Sequence, residues 1–378
     1  MCYRSLSVDF FKQIIFRYTH PDKVMKTPSA DSHVREKRSI VVVGAGAIGL
    51  SMAGWIFQLN ENLRLLARGE SVSTIRKHGV QLCQKGIKPF TVPVKVIETL
   101  NEASSPDLLV LTVKNYDLEK TAKALRDQLG NRQPIVVSLA NGVENQEILP
   151  KYFRRVVYGV VCYNAWREGV GKVGYIKRGY IVIGTPDNKL QKEIGCVKDA
   201  FNPAIECVAT DRLKDAAYCK LGLNLMNSVM SLVGFRKREL ESDKILVHMT
   251  TRLLWEGVEV LQAVGIKQHH IGSMPSWDQI RTAVNIPESP ANPLYDFIIN
   301  RVGPTSMTQD VFSGKTATEL ESLNGYLLEL SRKVGVPMPI NQAVYDIAKE
   351  RFGPNFKPIS EIDLWEMIND RISKNQKI

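Results

Sequence analysis

The 378-residue sequence has no apolar run approaching the roughly 18 residues that a membrane-crossing helix needs, so no span is expected. Its six cysteines, Cys2, Cys83, Cys162, Cys196, Cys207 and Cys219, stand singly and form no CxxC pair. That pattern fits reduced intracellular thiols, and hence a cytoplasmic protein, better than a disulfide frame or a zinc site. The six histidines form no ligand-spaced set, and the His269-His270 doublet reads as a solvated loop pair, so no metal is expected. The formal charge is +11, yet the basic residues are scattered and lack the clusters and interleaved aromatics of a nucleic-acid-binding face. A chain that handles small anions, phosphates and carboxylates, remains. A charged fraction of 24% and an apolar fraction of 44% allow a sizeable core, and the length suggests two folded units.

What the sequence does have is concentrated in SIVVVGAGAIGLSMAGWIFQLN, residues 39–60. Ile40 to Val43 read as a buried parallel strand. Gly44, Ala45, Gly46, Ala47, Ile48 and Gly49 follow with GxGxxG spacing, and Ile48, Met52, Ile56 and Leu59 open an apolar-periodic helix. The first glycine permits the tight turn, the second lets backbone approach a pyrophosphate, and the third lets helix pack on strand. The helix N-terminus offers free N–H groups and a positive dipole end to phosphate. LRLLAR, residues 63–68, reads as the next strand. Where folds specific for NAD place an acid to hold the ribose 2′-hydroxyl, this chain has Arg68, whose guanidinium suits a 2′-phosphate. NADPH is the expected cofactor, although nearby Glu70 keeps NADH in view.

PDLLVLTVK (106–114) and PIVVSLANG (134–142) are further buried strands, with a helix from Asp117 to Leu129 between them. Lys114 and Asn141 end these strands, where open α/β sheets hold ligands; an ordinary Asn-Gly turn is the simpler reading of Asn141. Residues 156–184 break into short strands expected to extend the sheet with antiparallel or mixed pairing. From Asp211 the pattern turns helical. DAAYCKLGLNLMNSVMSLVGF (215–235) reads as one helix carrying Lys220, Asn224, Asn227 and Ser231 on a single narrow face, a polar stripe that needs a cavity, ligand or partner. A lysine partly buried there can serve as a proton donor. In GPTSMTQDVFSGKTATELESLNG (303–325), Ser306 and Asp310 read as a polar loop, with Thr318 and Glu319 at a helix start, where capping alone explains them.

The ordered set GAGAIG (44–49), Arg68, VKNYD (113–117), LANGVEN (139–145), KLGLN (220–224), SMTQD (306–310) and TELESLNG (318–325) resembles the ketopantoate reductase (2-dehydropantoate 2-reductase) family over roughly residues 39–350. The resemblance implies NADPH-dependent reduction of a 2-oxo acid, ketopantoate, to pantoate in pantothenate biosynthesis, in a cleft between two domains. It implies Lys220 as general acid, Asn141 orienting cofactor and substrate, and Lys114 near the cofactor. Asn224 would hold substrate hydroxyls and Ser306 the carboxylate, while Glu319 would pair with lysine or a substrate hydroxyl. A homodimer is also expected from the family.

The expected fold class is α/β: a Rossmann-type doubly wound sheet over 39–208 and an all-α substrate and catalytic domain over 209–353. They are flanked by an extension over 1–38, read as unstructured with an amphipathic targeting helix at FFKQIIFRY or a start at Met25 as the alternatives, and by a helical one over 354–378. Two departures bear on substrate. The family's second asparagine stands eight positions after the lysine, where this chain has Ser228, with Asn227 one residue earlier; the loop before Glu319 is one residue longer. These features leave room for another 2-oxo acid or an imine as substrate. A non-catalytic NADPH sensor would need the glycine loop and Arg68 but neither Lys220 nor Glu319.

Overall fold

Apolar runs such as IVVV, LLVL and IVVS are what strands buried on both faces require. In the computed structural model, which describes residues 37–103, 105–202, 204–286 and 292–375, they form the centre of the molecule. The strands are β1 (Ile40–Val43), β2 (Leu63–Leu66), β3 (Val80–Gln84), β4 (Phe90–Val92), β5 (Lys95–Ile97), β6 (Leu108–Leu111), β7 (Ile135–Ser138), β8 (Val156–Val161), β9 (Ala165–Gly169), β10 (Lys172–Tyr175), β11 (Tyr180–Gly184) and β12 (Glu206–Ala209). Eight of them form one sheet in the order β12-β11-β8-β7-β6-β1-β2-β5. Pairing is parallel from β5 through β8, β11 runs antiparallel to β8, and β12 pairs parallel with β11. The order reverses between β1 and β6, the switch point at which such sheets bind ligands beyond their strand ends. The expected extension over 1–38 lies, but for its last two residues, outside the described residues.

The expectation for 156–184 is only half met. β8 and β11 do extend the main sheet, but β9 and β10 leave it and join β3 and β4 in a second, four-stranded sheet, β4-β3-β10-β9. Helix α1 (Ala47–Phe57) lies between the two sheets, which is why nine consecutive residues from Gly49 to Phe57 are buried rather than one face alone. Trp55 of α1 meets Tyr175 of β10 edge-on, with ring centroids 5.0 Å apart. Leu59, read as part of the apolar face, falls beyond the helix and is exposed.

The longer of the remaining helices are α2 (Glu70–His78), α3 (Asn115–Leu129), α4 (Gln191–Phe201), α5 (Leu213–Asn224), α6 (Met226–Leu232), α7 (Asp243–Ala263), α8 (Trp277–Asn285), α9 (Ser306–Phe312), α10 (Tyr326–Val334), α11 (Pro339–Arg351) and α12 (Glu361–Asn375), and a single helical turn spans Asn145–Ile148. The long α7 is the spine of the helical half. Its buried Glu256 accepts 2.9 Å hydrogen bonds from the Ile340 and Asn341 amides, capping α11 and satisfying donors no helix can satisfy itself. At its other end the Ser242 side chain accepts from the Ile245 amide. Helix α12 is docked, with Leu364 and Ile368 fully buried. Its first residue, Glu361, is buried and takes both the Arg238 guanidinium at 2.6 Å and the Glu241 amide at 2.9 Å. One apolar cluster runs from Val41, Leu109 and Val136 of the main sheet into Leu221, Met249 and Leu327 of the helices.

Candidate active site

The glycine turn is set by sterics that can be stated atom by atom. Gly44 has φ +108°, open to glycine but not to most L-residues. A Cβ on Gly49 would lie 1.8 Å from the Gly44 carbonyl oxygen and 2.6 Å from Thr112 Oγ1, so helix can meet strand here only through glycine. Thr112 Oγ1 donates to the Val43 carbonyl at 2.9 Å and pins the turn from the β6 side. A Cβ on Gly46, by contrast, would meet nothing within 4 Å. Gly46 is the N-cap of α1, and no side chain caps the first turn, which leaves its backbone N–H groups to an anion. Arg68, two residues beyond β2, is exposed, and no side-chain partner holds it among the described residues. Glu70 begins helix α2, where its charge complements the helix dipole. Gly44 to Gly49 and Arg68 are thus a donor set suited to a phosphate-bearing dinucleotide.

Beyond the strand ends, two halves of the chain meet through charge. The Glu319 carboxylate is 1% exposed. It accepts from Lys114 Nζ at 2.5 Å, from Ser306 Oγ at 3.0 Å and from Asn141 Nδ2 at 3.4 Å. Lys114 also pairs with Asp310 at 3.4 Å, and Asp310 with Lys315 at 2.6 Å. Ser306 and Asp310, read from sequence as loop, are in α9, whose N-cap Thr305 accepts from the Thr308 amide; Thr305 stood within the stretch read as loop, and its capping signal was passed over. Glu319 does precede a helical turn, one of π type over Glu321–Gly325. Such turns recur at functional sites.

The stretch 215–235 is two helices, not one. The chain breaks at Leu225 between α5 and α6, where the Leu225 and Ser228 amides reach back only three residues, at 3.4 Å each. Ser228 Oγ donates to the Leu225 carbonyl at 2.8 Å, a back-bond of the kind that bends helices. The interruption leaves Lys220 and Asn224 on α5 and Asn227 and Ser231 on α6. Lys220 lines a small cleft, partly open to solvent, with Asn141, Gly142, Tyr158 and Ala217. Asn224 is buried, and its Nδ2 has no partner among the described residues. Ser231 has turned away to bond Thr308 Oγ1 at 3.1 Å, and the partly buried Asn227 gives its carbonyl to Ser231 Oγ. At the position where the family's second asparagine is expected, Ser228 accepts from the fully buried Asn324 amide at 3.1 Å.

The two lysines are pushed in opposite directions. Burial drags the Lys114 ammonium down, but the Glu319 and Asp310 carboxylates outweigh it and hold the group above the ordinary lysine value. Lys220 has no ionic or hydrogen-bond partner among the described residues; burial lowers its pKa, against a smaller opposing pull from the Cys162 thiol. Cys162 is itself raised, by burial first and against the charge of Lys220. Lys114 is thus held as a fixed cation by its two carboxylates, while Lys220, beside Asn141, is the group whose proton is less firmly held. The roles of Asp310 as second anchor of Lys114, and of Cys162 as neighbour of Lys220, were not legible in the sequence, because neither pairing is local. No group of three or more His, Cys, Asp or Glu side chains among the described residues could hold a metal ion, and no described helix is long and apolar enough to cross a membrane.

A glycine turn at the switch point of a doubly wound sheet, with Lys114 and Asn141 at neighbouring strand ends tied to Glu319 of the helical half, is the arrangement of a nucleotide-dependent oxidoreductase. The chain belongs to the ketopantoate reductase family: the family model described as "Ketopantoate reductase PanE/ApbA" matches residues 40–188, and its C-terminal counterpart matches residues 212–352. It is, with that family, an NAD(P)-dependent oxidoreductase. It is 26% identical over 322 residues to a 2-dehydropantoate 2-reductase of Pyrococcus horikoshii, a match covering 84% of this chain and 99% of that one. Among solved structures it resembles a 2-dehydropantoate 2-reductase from Geobacter metallireducens, with a TM-score of 0.66, 21% identity and coverage of 82% and 99%. It also resembles a D-mandelate dehydrogenase solved with NADH and anilino(oxo)acetate, with a TM-score of 0.65, 18% identity and coverage of 89% and 99%. These two structural likenesses bear on the fold alone.

Proposed function

We propose that the protein reduces 2-dehydropantoate (ketopantoate) to pantoate with NADPH, with Lys220 as the general acid. The observation that carries this reading is the unpartnered, depressed lysine in a cleft shared with Asn141, set against a second lysine locked into ion pairs. The bound cofactor supplies the hydride. Gly44, Ala45, Gly46, Ala47, Ile48 and Gly49 hold the pyrophosphate through backbone N–H groups, and Arg68 takes the 2′-phosphate. Lys220 delivers its Nζ proton to the carbonyl oxygen as that oxygen gains charge, and a depressed pKa makes the ammonium a readier donor. Asn141 orients cofactor and substrate, while Lys114 keeps a positive potential beside the developing oxyanion. Asn224, with its free amide donor, and Asn227 take the substrate hydroxyls, and Ser306 exchanges its bond to Glu319 for one to the substrate carboxylate. Glu319 anchors Lys114 and Asn141 and accepts from a substrate hydroxyl.

We assign cofactor binding to residues 39–208 and substrate handling to 209–353, with 354–378 completing the helical half. The free state of the five described cysteines supports a reducing, cytoplasmic setting, and a homodimer is the expected assembly. A second reading, reduction of another 2-oxo acid or an imine, draws support from Ser228, whose bond to Asn324 leaves substrate recognition to Asn227 one residue earlier. The deciding experiment incubates the purified protein with NADPH and ketopantoate and looks for pantoate by mass spectrometry. Pantoate formation is expected; its absence under conditions where NADPH binds would overturn the reading.

A further inference from the structure

The turn that carries Asn141 is held from two sides by buried amides. Asn115 is the first residue of α3 and is 7% exposed. Its Nδ2 donates to the backbone carbonyl of Asn141. Asn145, 4% exposed, donates through Nδ2 to the carbonyl of Ala140 at 3.0 Å. Between them stands Gly142, with φ +79°. A Cβ there would come within 2.8 Å of Asn115 Nδ2 and 3.2 Å of the Ser322 carbonyl oxygen, so the missing side chain is what lets the Asn115 amide in. Each asparagine also keeps a buried Oδ1 with no partner among the described residues. Leaving a buried acceptor unmet is costly, and an alanine or serine at either position would avoid that cost. Only one half of each carboxamide is satisfied, and in both that half is aimed at one turn.

We infer that Asn115, assisted by Asn145, is a positioning residue: it fixes the Ala140–Gly142 turn and through it directs the Asn141 side chain towards Glu319 and the reacting centre. This rests on the proposed reading of Asn141 as the residue that orients cofactor and substrate. Asn115 sits next to Lys114 in the chain, so the start of α3 sets two groups of the site at once. Lys114 Nζ goes to Glu319 directly, and Asn115 brings Asn141 to the same carboxylate from the other side. A misplacement of Asn141 by a fraction of an ångström would act on the transition state, because that is where oriented contacts exceed those made with bound substrate.

The test is a double-mutant cycle of Asn115→Ala and Asn141→Ala, read in kcat, KM and melting temperature. Asn115→Ala is expected to lower kcat about tenfold or more, with KM for both substrates changed less than about threefold. In the Asn141→Ala background the same change should cost less than about twofold, since there is nothing left to position. Losses that multiply in the double variant, or a fall in melting temperature with kcat intact, would overturn the inference. Should Asn115→Ala fail to fold, Asn115→Ser, whose shorter hydroxyl falls short of the carbonyl, replaces it in the cycle with the same expectations. Wild-type protein that forms no pantoate would remove the proposed function and this inference together, whereas wild-type turnover with independent losses would remove the inference alone.

Discussion

Separating Lys114 from Glu319 should cost the fold measurably, because the pair joins the nucleotide-binding half to the helical half. At 2.5 Å and an effective dielectric of about 20, the attraction is roughly 6–7 kcal/mol. Most of that is offset by desolvation, so the useful figure is the roughly 3–5 kcal/mol lost when one member of a buried pair is removed. The low end applies. Asp310 still faces the ammonium at 3.4 Å, and the Lys114 side chain keeps 28% of its surface in water. Glu319→Gln, which preserves shape, is therefore expected to destabilise by about 3 kcal/mol. In a cycle with Lys114→Met, the coupling should be about 2 kcal/mol, within the range of contacting charged pairs. The sign with pH is fixed by the raised Lys114 pKa. Its contribution is complete below the ordinary lysine value of 10.5 and is lost only as pH rises through the higher folded value. The destabilisation should therefore be flat over neutral and mildly alkaline pH, in denaturant melts of the four proteins. Coupling below about 0.5 kcal/mol would refute the idea that this pair holds the halves together.

Three further outcomes are expected. Lys220→Ala should lower kcat by about 10²–10⁴, with NADPH affinity by fluorescence titration kept; unchanged turnover would take Lys220 out of the mechanism. In the wild type, kcat/KM should fall on the alkaline side at a pH below the ordinary lysine value of 10.5, because burial lowers the free-enzyme pKa of the group that must be protonated. Arg68→Ala should weaken NADPH far more than NADH, and equal losses would mean that the arginine does not read the 2′-phosphate. The two turn glycines should separate fold from ligand. Gly46→Ala, whose Cβ meets nothing, should fold normally and bind NADPH poorly. Gly49→Ala, with its Cβ 1.8 Å from a backbone oxygen, should fail in soluble yield or melting temperature.

How far the sequence led depends on whether a feature is local. The β1–turn–α1 unit could be read outright, because strand, glycine spacing and helix are adjacent and each glycine answers a separate steric demand. The second sheet was hidden: β9 and β10 have strand character, but nothing local says they pair with β3 and β4 rather than with β8 and β11, since pairing is a tertiary choice. That second sheet also explains why α1 is apolar on every side, a pattern that periodicity alone reads as one face. The interruption at Leu225 escaped because neither a proline nor a glycine stands at that position to announce it; a Ser228 bond to the Leu225 carbonyl accompanies it instead. Lys114 and Glu319 stand 205 residues apart, and no spacing rule could join them. Asn141 shows both descriptions at once, an Asn-Gly turn and an amide aimed at a buried carboxylate.

The most direct test of the central claim is the steady-state rate of NADPH oxidation with ketopantoate, measured beside pyruvate and 2-oxoisovalerate. Saturable turnover with kcat/KM clearly highest for ketopantoate is the predicted result. Comparable rates on all three, or NADPH binding without turnover on any, would contradict it.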